Sequence, residues 1–234
     1  MKIRQTPEKG FTLIELLVVI SIIAILAGIA VPAFTGVITR GQQTKALSDA
    51  KQIYLGLKMY AADNDGAFPS KDFTSGAALA TGSFSNAAFR NIVPNYIQSE
   101  KIFAVAKSAW SPGAPDEDTS TDAKVLEAGE NHWAYVINLF DTSNPNLPII
   151  ADGFSADIGT YSPSETAKGG VWKGEAAIVI RVDGSGRVER IKKSADEDTQ
   201  YQVFGPVGST EDANIFTTHT ANWLTAEQVA INPQ

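Results

Sequence analysis

The sequence predicts an α+β chain: one long N-terminal helix, apolar in its first half and amphipathic in its second, packed on a small antiparallel sheet. Three observations carry that reading. Phe11–Phe34 is an apolar run that holds a single charge, Glu15. Beyond it Leu47, Ala50, Ile53, Tyr54, Leu57 and Ala61 recur at three- and four-residue steps, which is one face of a helix. Late in the chain, "AIVIRVDGSGRVERI" sets two β-rich runs about a glycine-containing turn, a hairpin signal.

Length and composition bound the rest. A chain of 234 residues with 44% hydrophobic content has room for a membrane segment and one medium domain with its own core. With no cysteine, disulfides, thiolate metal sites and a cysteine nucleophile are excluded. The net charge of −7 is a poor match to nucleic acid, where Lys and Arg on phosphates supply most of the affinity. It also argues against docking of the soluble part on anionic lipid.

Residues 1–10 read as a short basic leader, with Lys2, Arg4 and Lys9 against Glu8. As a helix, the segment 11–34 spans about 36 Å at ~1.5 Å per residue, enough to cross a hydrocarbon core of about 30 Å. Positive residues before it place the leader in the cytoplasm and the remainder outside. The run exceeds a secretory signal's apolar core, and no small-x-small cleavage site follows it. The plain reading is an uncleaved signal anchor. Glu15 complicates that reading, because an intramembrane carboxylate costs free energy and usually has a partner. No Lys, Arg or His follows it within a helical turn or two. Its partner is therefore either absent, with Glu15 protonated or reaching for the interface, or it belongs to another chain. Pro32 removes a helix hydrogen bond and is expected either to be tolerated by its neighbours or to loosen the helix locally.

Residues 35–63 are expected to continue the helix, with Arg40, Lys45, Asp49, Lys51 and Lys58 filling much of the polar side. Asn64-Asp65-Gly66 and then Phe68-Pro69 supply a stop. "DNDG" has part of a calcium-loop spacing at Asp63, Asp65 and Gly66, but Ala61 stands at the first ligand position and Asp72 at the twelfth. It reads as a helix-end turn. The head, 67–193, opens with loops and short helices to residue 110, including a strand near Ile102–Ala106. Residues 111–130, rich in Pro, Asp, Ser and Thr, read as an exposed loop. The segments "HWAYVINL" and "LPIIAD" and the late hairpin supply the sheet. Residues 194–234 read as a C-terminal extension that packs through Phe216 and Trp223.

No catalytic site is assigned. His132 and His219 lack a G-x-S-x-G serine, and "GGVWKGEA" lacks the ending of a phosphate loop. Asp152, Asp157 and Asp183 are candidates for a carboxylate cluster, and more simply for solvated faces. Trp110, Trp133, Trp172 and Trp223 are candidates for a sugar platform, and more simply for core or subunit contacts.

The stretch "KGFTLIELLVVISIIAILAGIAVPAF" resembles the N-terminus of type IV pilins and type II secretion pseudopilins. The resemblance implies a prepilin peptidase that cuts after Gly10 and N-methylates Phe11, leaving Glu15 as the acidic residue four positions on. It implies that Glu15 of one subunit meets the N-terminal amine of a neighbour, which supplies the missing partner, and that Pro32 marks a point of local melting on assembly. Further implied are polymerisation with like subunits, an inner-membrane platform protein and an assembly ATPase. The expected location is then the bacterial inner membrane, single-pass, with the head periplasmic or in an extracytoplasmic filament. "MYAADNDGAFP" and the "VDGS" hairpin resemble segments of some pilin-like proteins, but a histidine-x9-Asp-Gly element of such relatives is not reproduced, since His132 and Asp152 stand further apart. No cofactor is expected, with calcium the one ion left open. The competing reading is a membrane-anchored extracytoplasmic binding protein, for example for glycan, that does not polymerise.

Overall fold

The computed structural model describes residues 11–193, 201–203, 214–217 and 224–234. The chain divides into two compact units, 1–41 and 42–234. The first helix, α1 (Leu13–Asp63), supplies residues to both. In the first unit its apolar side chains, Leu13 to Leu26 among them, are exposed. Leu13–Ala30 is long and apolar enough to cross a membrane.

In the second unit the heptad-like face of α1 is core. Ala50, Ile53, Leu57 and Ala61 are fully buried and Tyr54 nearly so, while Leu47 packs against the same cluster. Ile53 and Leu57 each contribute about 1.5–3 kcal/mol by that burial. Asp49 departs from the expected polar side, being buried. Desolvation raises its pKa, and the nearby Lys45 charge opposes that rise. Gly56 lies against Ile97, whose side chain stands where a Cβ would project. The helix ends at the "DNDG" turn: the Gly66 amide donates to the Ala61 carbonyl at 2.8 Å, and Gly66 has φ +80°. A side chain there would also meet Asp141. The turn is thus a left-handed helix stop, the geometry glycine allows at least cost.

The head contains a five-stranded antiparallel sheet and a smaller three-stranded one. The strands are β1 (Trp133–Val136), β2 (Pro148–Asp152), β3 (Thr160–Tyr161), β4 (Ala176–Arg181), β5 (Gly186–Arg190), β6 (Lys192–Lys193), β7 (Tyr201–Gln202) and β8 (Ala230–Ile231). The larger sheet runs β5-β4-β2-β1-β8 and the smaller β3-β7-β6. The β4–β5 hairpin pairs Ile178 with Val188 and Ile180 with Gly186. Its turn closes on α1: Tyr54 donates its hydroxyl hydrogen to the Val182 carbonyl, and the Tyr54 ring lies where a Cβ on Gly184 would stand. Strands β1, β2 and the middle of β4 are buried throughout, so the sheet is core on both faces and does not alternate. A short helix α2 (Ser85–Phe89) is buried beside it, with the Phe89 and Tyr135 rings 5.3 Å apart.

Two expectations are corrected. The strand expected near Ile102–Ala106 is instead a 3-10 turn, Glu100–Phe103. Ser99 caps it, and among the described residues the one backbone bond between this segment and the chain entering β1, His132 N–H to Phe103 O at 2.8 Å, is too few for a ladder. The C-terminal residues are more than a surface extension: β8 is the edge strand of the main sheet, with Tyr135 opposite Ile231. Asn232 ties it in, accepting from the Phe154 amide at 2.9 Å and donating to the Ser155 carbonyl at 3.0 Å. Phe216 is buried against Phe154, with ring centroids 4.7 Å apart. Trp223 and His219 lie outside the described residues.

Candidate functional site

The N-terminal site is built on the first turn of α1. Gly10 lies outside the described residues, and Phe11 is exposed just before the helix. Thr12 is the N-cap. Its amide and its hydroxyl both donate to one Glu15 carboxylate oxygen, at 2.9 and 2.7 Å, and the Glu15 amide donates back to the Thr12 hydroxyl at 3.3 Å. This is a capping box, a threonine at the N-cap and a glutamate three residues on that satisfy each other's orphan donors. The Glu15 carboxylate therefore has a hydrogen-bond partner within its own chain, Thr12. The signal was present as "TLIE". The box satisfies hydrogen-bonding capacity beside a helix start that favours an anion, and among the described residues Glu15 has no ion pair. Pro32 lies within α1.

A second constellation is buried in the head. His132 Nε2 and Asp152 Oδ1 are 2.7 Å apart, and His132 Nδ1 lies 2.6 Å from the Ser108 hydroxyl. Asp152 Oδ2 accepts from the Trp172 indole at 2.8 Å and from the Ile178 amide at 2.6 Å. The Trp110 amide donates to Ser108 Oγ at 3.1 Å. The assignment that satisfies every group puts the His132 proton on Nε2, toward Asp152, and lets Ser108 donate to Nδ1. The wide spacing of His132 and Asp152 closes because Trp133 and Asp152 face each other across the β1–β2 pair.

Serine, histidine and aspartate in one chain of hydrogen bonds invite comparison with a hydrolytic triad. Their burial argues for structure instead: Ser108, His132 and Asp152 are 3%, 1% and 1% exposed, so no substrate carbonyl reaches the hydroxyl. The network joins the loop at Ser108, strands β1, β2 and β4, and the Trp172 turn through polar groups that each have a partner.

The other sequence candidates separate. Asp183 sits in the β4–β5 turn, accepting from the Ser185 amide at 2.7 Å, and Asp157 lies in the turn before β3, its carbonyl bonded to Thr160. Neither joins Asp152 in a cluster that could hold a metal. Trp110, Trp133 and Trp172 are buried, and their indoles donate to Phe154 O, Asp152 and Ile102 O between them, so these three present no sugar platform. Asp63 accepts the Tyr96 hydroxyl at 2.8 Å and serves the helix-end turn.

One family model falls on the N-terminal site. Residues 6–31 match the family described as the prokaryotic N-terminal methylation motif. The chain is 35% identical over 98 residues to a fimbrial protein of Neisseria meningitidis, covering 42% of this chain and 52% of that protein. It is 43% identical over 79 residues to the type IV major fimbrial protein FimA of Dichelobacter nodosus, covering 34% and 45%. To the type IV major pilin protein PilE1 of Neisseria gonorrhoeae it is 29% identical over 144 residues, covering 51% and 87%. The chain thus spans about half the length of the first of these relatives. No solved structure matches it.

Proposed function

We propose that this chain, a member of the type IV pilin family by its N-terminal segment, is a structural subunit that is processed at Gly10–Phe11 and polymerises through α1 into an extracytoplasmic filament. The observation that carries the reading is the methylation motif on a helix start whose carboxylate is held in a capping box and, among the described residues, has no ion pair. Cleavage after Gly10 frees an α-ammonium on Phe11, substantially cationic near neutral pH. In a bundle of such helices, the amine of one subunit supplies the charge that Glu15 of the next lacks. An unpaired charge in lipid is expensive, so the pair favours assembly and sets the axial register.

The named relatives are fimbrial and major pilin proteins, which favours a pilus over a type II secretion pseudopilus. Before assembly the subunit would rest in the bacterial inner membrane, with residues 1–10 cytoplasmic and the head outside. A prepilin peptidase, a platform protein and an assembly ATPase are the partners this route requires, and Pro32 would be the point at which the helix loosens on leaving the bilayer. The chain would act mechanically, without catalysis. The binding-protein alternative loses its sugar platform with three of the four tryptophans in the core.

The test is incorporation of Glu15→Ala into filaments in the native host. Loss of incorporation with membrane insertion and head folding intact is expected. Normal incorporation would remove the assembly role of Glu15 and favour a simple anchor.

A further inference from the structure

Glu100 opens the 3-10 turn Glu100–Phe103 and is fully buried. Its Oε1 accepts from the Leu126 amide at 2.7 Å, but its Oε2 has no hydrogen-bond partner. A carboxylate oxygen left bare in the interior costs the full desolvation of that group. The Glu117 amide near the carboxyl offers partial relief, and the carboxylates around it add to the crowding. Asp116 and Glu130 come from the loop that covers Glu100, and one carboxylate oxygen from each of the three lies within 4.8 Å of the others. Among the described residues, none of the three has an ion pair. The nearby ammonium groups are engaged elsewhere, Lys101 with Glu117 and Lys124 with Asp118 at 3.5 Å.

We propose that Glu100, Asp116 and Glu130 form a binding site for a hard divalent cation, calcium foremost. Two oxygens that each bind one calcium at about 2.4 Å stand at most about 4.8 Å apart, and the three oxygens here lie within that limit of one another. The donor set is carboxylate throughout, without His or Cys, which selects calcium or magnesium over zinc. Calcium tolerates an irregular shell of six to eight oxygens, whereas magnesium demands near-octahedral geometry. Asp116 is exposed and Glu130 half-buried, so water and the ion reach the site from the loop side while Glu100 closes its floor. The cluster is held open by the backbone. Glu130 accepts from the Asp116 amide at 3.0 Å and the Glu127 amide at 2.6 Å, and Asp116 from the Asp118 amide at 2.8 Å. Burial first, then the Glu130 and Asp116 charges, push the Glu100 carboxyl up against the pull of the Leu126 and Glu117 amides. The bound ion would pin the loop 112–130 to the 3-10 turn, and this holds whether or not the chain polymerises.

The test uses the full chain in detergent micelles, stripped with a chelator and then titrated with calcium chloride by calorimetry, with thermal unfolding in parallel. One calcium per chain is expected, with Tm raised by about 5–10 °C at a hundredfold excess over Kd. Asp116→Asn, an exposed change that leaves the core intact, should weaken calcium binding at least about tenfold, and Glu100→Gln should weaken it further. Absence of heat and of any Tm shift at millimolar calcium overturns the proposal. Full-strength binding retained in Asp116→Asn and Glu100→Gln places the ion elsewhere and overturns it equally.

Discussion

Thr12 and Glu15 close a reciprocal set of hydrogen bonds at the start of α1, with the threonine hydroxyl 2.7 Å from the glutamate carboxylate. On the proposed function a single side chain has two separable tasks: its oxygens cap the helix, and its charge meets a neighbour's amine. Glu15→Gln keeps a capping acceptor and removes the charge, whereas Glu15→Ala removes both. If charge drives assembly, both variants should lose filament incorporation to a similar degree. If the cap suffices, Glu15→Gln should assemble as well as the wild type. Counting subunits in sheared filaments of the two strains decides between them.

The buried histidine network makes a stability prediction. Asp152 accepts three hydrogen bonds in the interior, from His132, Trp172 and Ile178. Asp152→Ala strands all three donors and should cost about 3–5 kcal/mol. Urea unfolding of the full chain in detergent measures this loss. A loss below about 0.5 kcal/mol would mean that the network does not hold the strands together.

The edge strand makes another. Ile231 is buried opposite Tyr135, so Ile231→Ala should cost about 2–5 kcal/mol. A residue on a detached surface element would cost within about 0.5 kcal/mol. The same unfolding measurement distinguishes the two.

Glu100 gives a pH dependence with a definite sign. Its folded-state pKa is raised, so the folded chain holds a proton that the unfolded chain has released. Its contribution to stability is fully present below the unfolded value of about 4.3 and is lost as pH rises through the raised folded value. In chelator, Glu100→Gln should remove that falling limb and be the more stable protein near neutral pH. A wild-type minus variant stability difference that stays flat from about pH 4 to pH 7 would contradict the raised carboxyl.

Much of the architecture was legible because it is periodic. The α1 face from Leu47 to Ala61 and the hairpin about Asp183–Gly186 are local patterns that burial confirms at Ile53, Leu57, Ile178 and Ile180. The strand expected at Ile102–Ala106 failed because a short apolar run does not reveal whether a neighbour will offer it a ladder. β8 was missed for the converse reason: Ala230–Ile231 is too short to register as a strand, and Asn232 rather than periodicity secures it. Of the sites, "KGFTLIE" was readable as a motif, yet its capping box was passed over while a cation was sought. The pairing of His132 with Asp152 depended on the register of β1 with β2, and the meeting of Glu100, Asp116 and Glu130 on the path of a loop. Neither relation has a spacing that sequence could show.

The most direct measurement is intact-mass and N-terminal peptide mass spectrometry of the protein taken from its native membrane. A mature chain that begins at Phe11 and is heavier by one methyl group is expected if the motif at 6–31 is processed for assembly. A chain that still begins at Met1, or an unmodified internal start, would contradict processing, leave Glu15 without the amine it needs, and reduce α1 to an anchor.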